Sequence, residues 1–144
     1  MLNVKIKKLS EDAVVPQYAY TADAGLDLSA NCDMVLAPHE RALVPTGLAI
    51  AIPEGYAGFV MPRSGLALRE GLSMANTPGL IDAHYRGELK VIAVNLDNEK
   101  PITITKGERI AQLVIMPVPP IDLEVVDELD ETDRGAGGFG SSGV

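Results

Sequence analysis

The sequence predicts an all-β domain with one short helix, on three observations. Apolar and polar residues alternate over many short stretches, a period of two that sends successive side chains to opposite faces of a sheet. Those stretches recur at short spacing with Gly and Pro between them, the pattern of a sandwich or barrel. Only the segment from Ser64 to Glu70 places good helix formers between a candidate cap and a glycine stop.

Taken in order, Val4-Lys5-Ile6-Lys7 alternates and reads as a first strand. Val14 to Thr21 reads as extended loop, because Pro16 and the residue before it disfavour helix. Leu26 and Leu28 alternate with Asp27, which therefore projects from the opposite face of a short strand. Met34 to Leu36, Ala42 to Val44 and Leu48 to Ile52 follow as separate strands, punctuated by Pro38, Pro45-Thr46-Gly47 and Pro53-Glu54-Gly55. Tyr56 to Met61 is another. Ser64 is placed to cap the helix and Gly71 to end it. Gly79 and Gly87 bracket what reads as a tight β-hairpin with Asp82 and Tyr85 near its tip, and Leu89, Val91 and Ala93 then alternate with Lys90 and Ile92 as a strand. Ile102 to Ile104 and Arg109 to Ile115 are strands on either side of Lys106-Gly107, and Leu123 to Val126 reads as a last one. Residues 1–126 therefore form one β domain. Residues 127–144 are acidic, then dense in Gly, the composition of a flexible arm. The single Arg134 and single Phe139 in that arm have no use in a mere spacer.

At 144 residues and 47% hydrophobic the chain can bury one core, but with aromatics at 4% and no Trp the core must be aliphatic. No apolar run approaches the ~18 residues of a membrane span, and the N-terminus has no signal-peptide pattern. Cys32 is the only cysteine, so no intrachain disulfide forms, which fits a cytoplasmic setting. The net charge of −8 argues against nucleic-acid and membrane partners. It still admits a small phosphate compound if a few cations converge and a metal helps.

Three places offer that chemistry. Asp82 can take a proton from water and Tyr85 offers a flat face to a sugar or base, although Asp is also a common turn-former. Arg63, Ser64 and Gly65 stand where a strand enters the helix, and free N–H groups, a bidentate cation and a hydroxyl there suit phosphate as well as an ordinary cap. Asp27 is a candidate acid for a hard cation such as Mg²⁺, which shares its shell with substrate phosphates, or a solvated strand residue. Gln112 is a ligand donor or simply exposed, and its position leaves both open. His39 and His84 are not spaced as metal ligands, and Met34, Met61, Met74 and Met116 read as core filler.

Five stretches in order, Ala22–Ala30, Pro62–Leu68, Gly79–Val91, Lys106–Ile115 and Arg134–Gly143, resemble the five motifs of the homotrimeric dUTP pyrophosphatases, or dUTPases. The resemblance runs from near Val4 to Gly143 and implies a distorted jelly-roll β-barrel whose three subunits share three active sites. It implies Mg²⁺-dependent hydrolysis of dUTP to dUMP and pyrophosphate, which keeps uracil out of DNA and supplies dUMP for dTMP synthesis. Asp82 matches the acid that activates the attacking water, and Tyr85 the aromatic that packs on deoxyribose and excludes a 2′-OH. Asn76, with the backbone of Leu80, Ile81 and Lys90, matches the uracil reader. Arg63, Ser64, Gly65 and Gln112 match the phosphate binders, and Asp27 the acid that holds Mg²⁺ through water. Arg134 and Phe139 match tail residues that close on phosphate and uracil, with Ser141 and Ser142 as γ-phosphate donors.

Overall fold

A computed structural model describes every residue except Ser142 and Val144, so the role expected of Ser142 lies outside the described residues. Among the described residues there are ten strands, formed from the alternation noted above, and one helix. The first strands are β1 (Lys5–Lys8), β2 (Leu26–Ser29), β3 (Met34–Leu36), β4 (Arg41–Ala51) and β5 (Tyr56–Pro62). Helix α1 (Ser64–Glu70) follows, then β6 (Leu72–Met74), β7 (Gly79–Ile81), β8 (Glu88–Asn95), β9 (Ile102–Ile104) and β10 (Arg109–Pro117). They assemble into two four-stranded sheets, β1-β4-β8-β6 and β2-β10-β5-β7, and a ribbon β3-β9. Every strand pair is antiparallel. The inward residues of both sheets, among them Leu28, Val44, Val60, Leu89, Val91 and Leu113, meet in one aliphatic core. This is the all-β barrel-like fold with one helix that the sequence predicts. Among the described residues no helix is long and apolar enough to cross a membrane.

Leu113 is fully buried at the centre of that core. Leu113→Ala removes three carbons and leaves a cavity, so urea unfolding should give a loss of about 2–5 kcal/mol.

Five local expectations are corrected. Pro45-Thr46-Gly47 does not divide two strands, because β4 runs through it with a register shift between Pro45 and Ala49. The irregularity survives because the Thr46 hydroxyl donates to the Leu89 carbonyl at 2.7 Å and the Gly47 N–H to Glu88 Oε1 at 2.9 Å. Gly47 itself sits at φ +70°, where a side chain is disfavoured. Leu72–Met74, to which the sequence reading assigns no element, is a strand and pairs with β8. Gly79 and Gly87 do not bracket a tight hairpin: β7 pairs with β5 in one sheet while β8 pairs with β4 and β6 in the other. Residues 82–87 therefore cross between sheets, and the parting of the two strands opens a cleft. Leu123–Val126 forms no strand, since no neighbouring strand offers it a ladder, and Leu123 and Val125 are exposed. Of the methionines, Met74 is buried and Met34 packs on the core, but Met116 is exposed.

The fifth correction concerns the helix start. Arg63, not Ser64, is the boundary residue, extended at φ −91° and ψ 125°, with no side-chain cap. Its guanidinium turns away to other partners. Gly71 ends the helix in the left-handed conformation at φ 73°, its N–H donating to the Ala67 carbonyl, as the sequence predicts.

Candidate active site

The gap between β7 and β8 forms a cleft of about 450 Å³. Asn76, Leu80 and Ile81 line one side, Glu88, Lys90 and Ile92 another, and Asp82 and Tyr85 come from the crossing. Six sequence-predicted residues are thus brought together: Asn76, Leu80, Ile81, Asp82, Tyr85 and Lys90. Strand β7 is an edge of its sheet, so its outer backbone N–H and C=O groups are open to a ligand. The Tyr85 hydroxyl donates to the Glu88 carbonyl at 2.9 Å, and the Tyr85 N–H to the Asp82 carbonyl at 3.1 Å. The ring lies so close over Gly87 that a Cβ there would stand 2.6 Å from Tyr85 Cζ. A residue with a side chain at position 87 would therefore displace the ring. Glu88 was missed by the sequence reading. One of its oxygens takes the Gly47 N–H and the other faces Lys90 Nζ at 3.4 Å, so it ties the irregular part of β4 to the cleft.

A second cleft, about 360 Å³, gathers Asp27, Arg63, Ser64, Gly65 and Gln112, with Tyr20 and Asp23 at its wall. Asp27 lies opposite Gln112 in the β2–β10 pairing, so the two share a face. Arg63 Nε approaches Asp27 Oδ1 at 3.1 Å, and an Arg109 terminal nitrogen donates to Asp27 Oδ2 at 3.0 Å. Gln112 Nε2 donates to the Pro62 carbonyl at 3.0 Å. A Cβ on Gly25 would stand 2.6 Å from Gln112 Oε1, so a side chain there would push that amide aside. The cleft is lined by one guanidinium, Arg63, against the carboxylates of Asp23 and Asp27, so an anionic ligand gains a site there by drawing Arg63 away from Asp27 and by bringing a cation of its own to the carboxylates. Among the described residues no three Asp, Glu, His or Cys side chains converge as a metal site. The oxygen donors Asp23 and Asp27 fit a hard cation only if the ligand supplies most of its shell.

The two clefts share no lining residue. Asp27 is on edge strand β2 and Leu80–Ile81 on the opposite edge β7, with β10 and β5 between them, roughly 14 Å measured across the strands. Arg134, Phe139 and Ser141 line neither cleft. Arg134 Nε donates locally to the Gly137 carbonyl at 2.9 Å, and the Phe139 ring is wholly exposed.

Comparison with known proteins bears on this arrangement. The dUTPase family model matches residues 11–143. The deoxyuridine 5'-triphosphate nucleotidohydrolase of Corynebacterium glutamicum is 57% identical over 140 residues, covering 97% of this chain and 94% of that protein. The enzyme of the same name from Hydrogenobaculum is 51% identical, with 99% of both chains covered. Among solved structures, the dUTPase of Staphylococcus bacteriophage 80alpha with dUPNHPP superposes with a TM-score of 0.91 at 37% identity over the whole of both chains. A mutant dUTPase from phage phi11 of S. aureus, solved for the coordination of a structural Mg(II) ion, superposes at 0.84 with 30% identity, covering 90% of this chain and 100% of that one.

Proposed function

The chain belongs to the dUTPase family and is a dUTP diphosphatase, and on that premise we propose that its reaction runs at sites assembled between copies of the chain in a homotrimer. The observation that carries this is the division of the chemistry between two clefts with no residue in common. One copy's β7–β8 cleft takes uracil and deoxyribose. Another copy's Asp27–Arg63 cleft takes the triphosphate. Exposed apolar residues such as Val35, Leu43, Leu96, Leu123 and Val125 support association, since contact between copies would remove them from water.

In this reading Asn76 and the backbone of Leu80, Ile81 and Lys90 hydrogen-bond the uracil edge, and Tyr85 packs on the sugar where a 2′-OH would sit. Asp82, exposed at the start of the crossing, orients a water and accepts its proton as the link between the α- and β-phosphates is cleaved. Arg63, Ser64, Gly65 and Gln112 hold the phosphates and stabilise charge on the leaving pyrophosphate. Mg²⁺, held by the phosphates and through water by Asp27, supplies charge neutralisation when bound. Residues 127–144 act as a flexible arm, with Phe139 stacking on uracil and Arg134, Ser141 and Ser142 meeting phosphate.

The test is incubation with Mg²⁺ and each deoxynucleoside triphosphate, with product identification. dUMP and pyrophosphate from dUTP alone are expected. Ammonia release would instead favour a base deaminase on the same fold. Tyr85→Ala should also narrow the preference for dUTP over UTP by about ten- to two-hundredfold, the range of discrimination that pocket packing supplies. An unchanged ratio of kcat/KM values would remove Tyr85 from sugar selection.

A further inference from the structure

We infer that Arg109 is a positioning residue for the phosphate cleft, holding Asp27 in place when Arg63 turns to the nucleotide. Regular alternation along β10 would put Arg109 on the side of Ala111 and Leu113, both fully buried. The register prevents this. Ala111 lies opposite Leu28, but Arg109 lies opposite Ser29, so one extra residue is absorbed at Ile110. Ile110 and Ala111 are consequently buried in succession. This bulge brings Arg109 round to the face of Asp27 and Gln112, as bulges beside binding sites re-aim side chains.

The contacts there are divided in a way that separates two tasks. Asp27 has one oxygen on Arg63 and the other on Arg109, and its side chain is only 18% exposed. Arg63 also donates to the Arg109 carbonyl at 3.0 Å, which fixes the three groups as a unit. Arg63 faces the cleft and Arg109 does not line it. A phosphate entering the cleft competes for Arg63 and frees Asp27 Oδ1. Arg109 keeps Oδ2, so Asp27 stays oriented toward the incoming ligand rather than collapsing onto the cation that binds it. Without Arg109, Asp27 and Arg63 form a closed pair, and the phosphates must break it.

This rests on the proposed phosphate role of the cleft, and the experiment separates the two. Full-length wild type, Arg109→Gln and Arg109→Lys are titrated calorimetrically with dUMP and with dUPNHPP, with and without Mg²⁺, and their melting temperatures are measured. For Arg109→Gln, dUMP affinity should be unchanged, while dUPNHPP affinity should fall about 10- to 100-fold, the scale of a lost charge-assisted contact. Steady-state turnover should show a raised KM for dUTP with a smaller change in kcat. Arg109→Lys should recover part of the loss. Equal losses for dUMP and dUPNHPP, or a loss that tracks the melting temperature, would make Arg109 a merely structural residue and overturn the inference. Unchanged dUPNHPP affinity would overturn it too. If wild type binds dUPNHPP no better than dUMP, the phosphate role of the cleft fails first, and the inference fails with it.

Discussion

Asp82→Asn should lose about 10²–10⁴-fold in turnover while keeping its affinity for dUTP, the usual cost of removing a general base. The amide has the size of the carboxylate and retains an acceptor oxygen, so the crossing between β7 and β8 has no reason to change shape. It cannot hold a water's proton near neutral pH. Asp82 is exposed, and among the described residues no side-chain hydrogen bond or ion pair engages its carboxylate. It is therefore free to meet a water. Single-turnover pyrophosphate release together with equilibrium binding of dUPNHPP separates the two effects. Near-normal turnover would remove Asp82 from the chemistry. A parallel collapse of affinity would make it a binding group instead.

The second large effect is expected from the arm. Truncation after Thr132 removes Arg134, Phe139 and the glycines between them, but no residue lining either cleft. The truncated chain should keep its melting temperature and should sediment as an assembly of the same number of chains as the full-length protein. Its turnover should fall by about 10²–10³-fold, the scale of losing one preorganised donor to transition-state charge. Glycine density lets backbone N–H groups approach phosphate closely, at the cost of ordering a flexible segment on closure. Undiminished turnover after truncation would show that the arm does not close on the site.

Most of the fold was legible because alternation and turn chemistry are local. Leu89, Val91 and Ala93 are buried and Lys90 is exposed, as the period of two requires. What escaped depended on pairing between distant strands. The glycines around residues 79–87 looked like hairpin ends, yet sequence cannot say that β7 and β8 join different sheets. The proline in β4 looked like a break, yet Thr46 and Glu88 satisfy the backbone there from side chains. The site was legible mainly through its five ordered motifs. Asp27, Arg63, Ser64, Gly65 and Gln112 do converge, and so do Asn76, Leu80, Ile81, Asp82, Tyr85 and Lys90. Arg109 was overlooked because alternation assigns it to the core side. The adjacent apolar pair Ile110-Ala111, which interrupts that alternation, was the available signal of a bulge.

Subunit complementation tests most directly whether the two clefts are halves of one site supplied by different copies. Asp82→Asn and Arg63→Gln chains, each inactive alone, would be co-refolded in equal amounts and assayed for pyrophosphate release from dUTP. A site that takes its β7–β8 cleft from one copy and its Asp27–Arg63 cleft from another is intact in about one quarter of random pairings. Recovery of about that fraction of wild-type activity is the expected result. Activity no greater than the sum of the two separate variants would place both clefts' work within a single chain and contradict the shared-site reading.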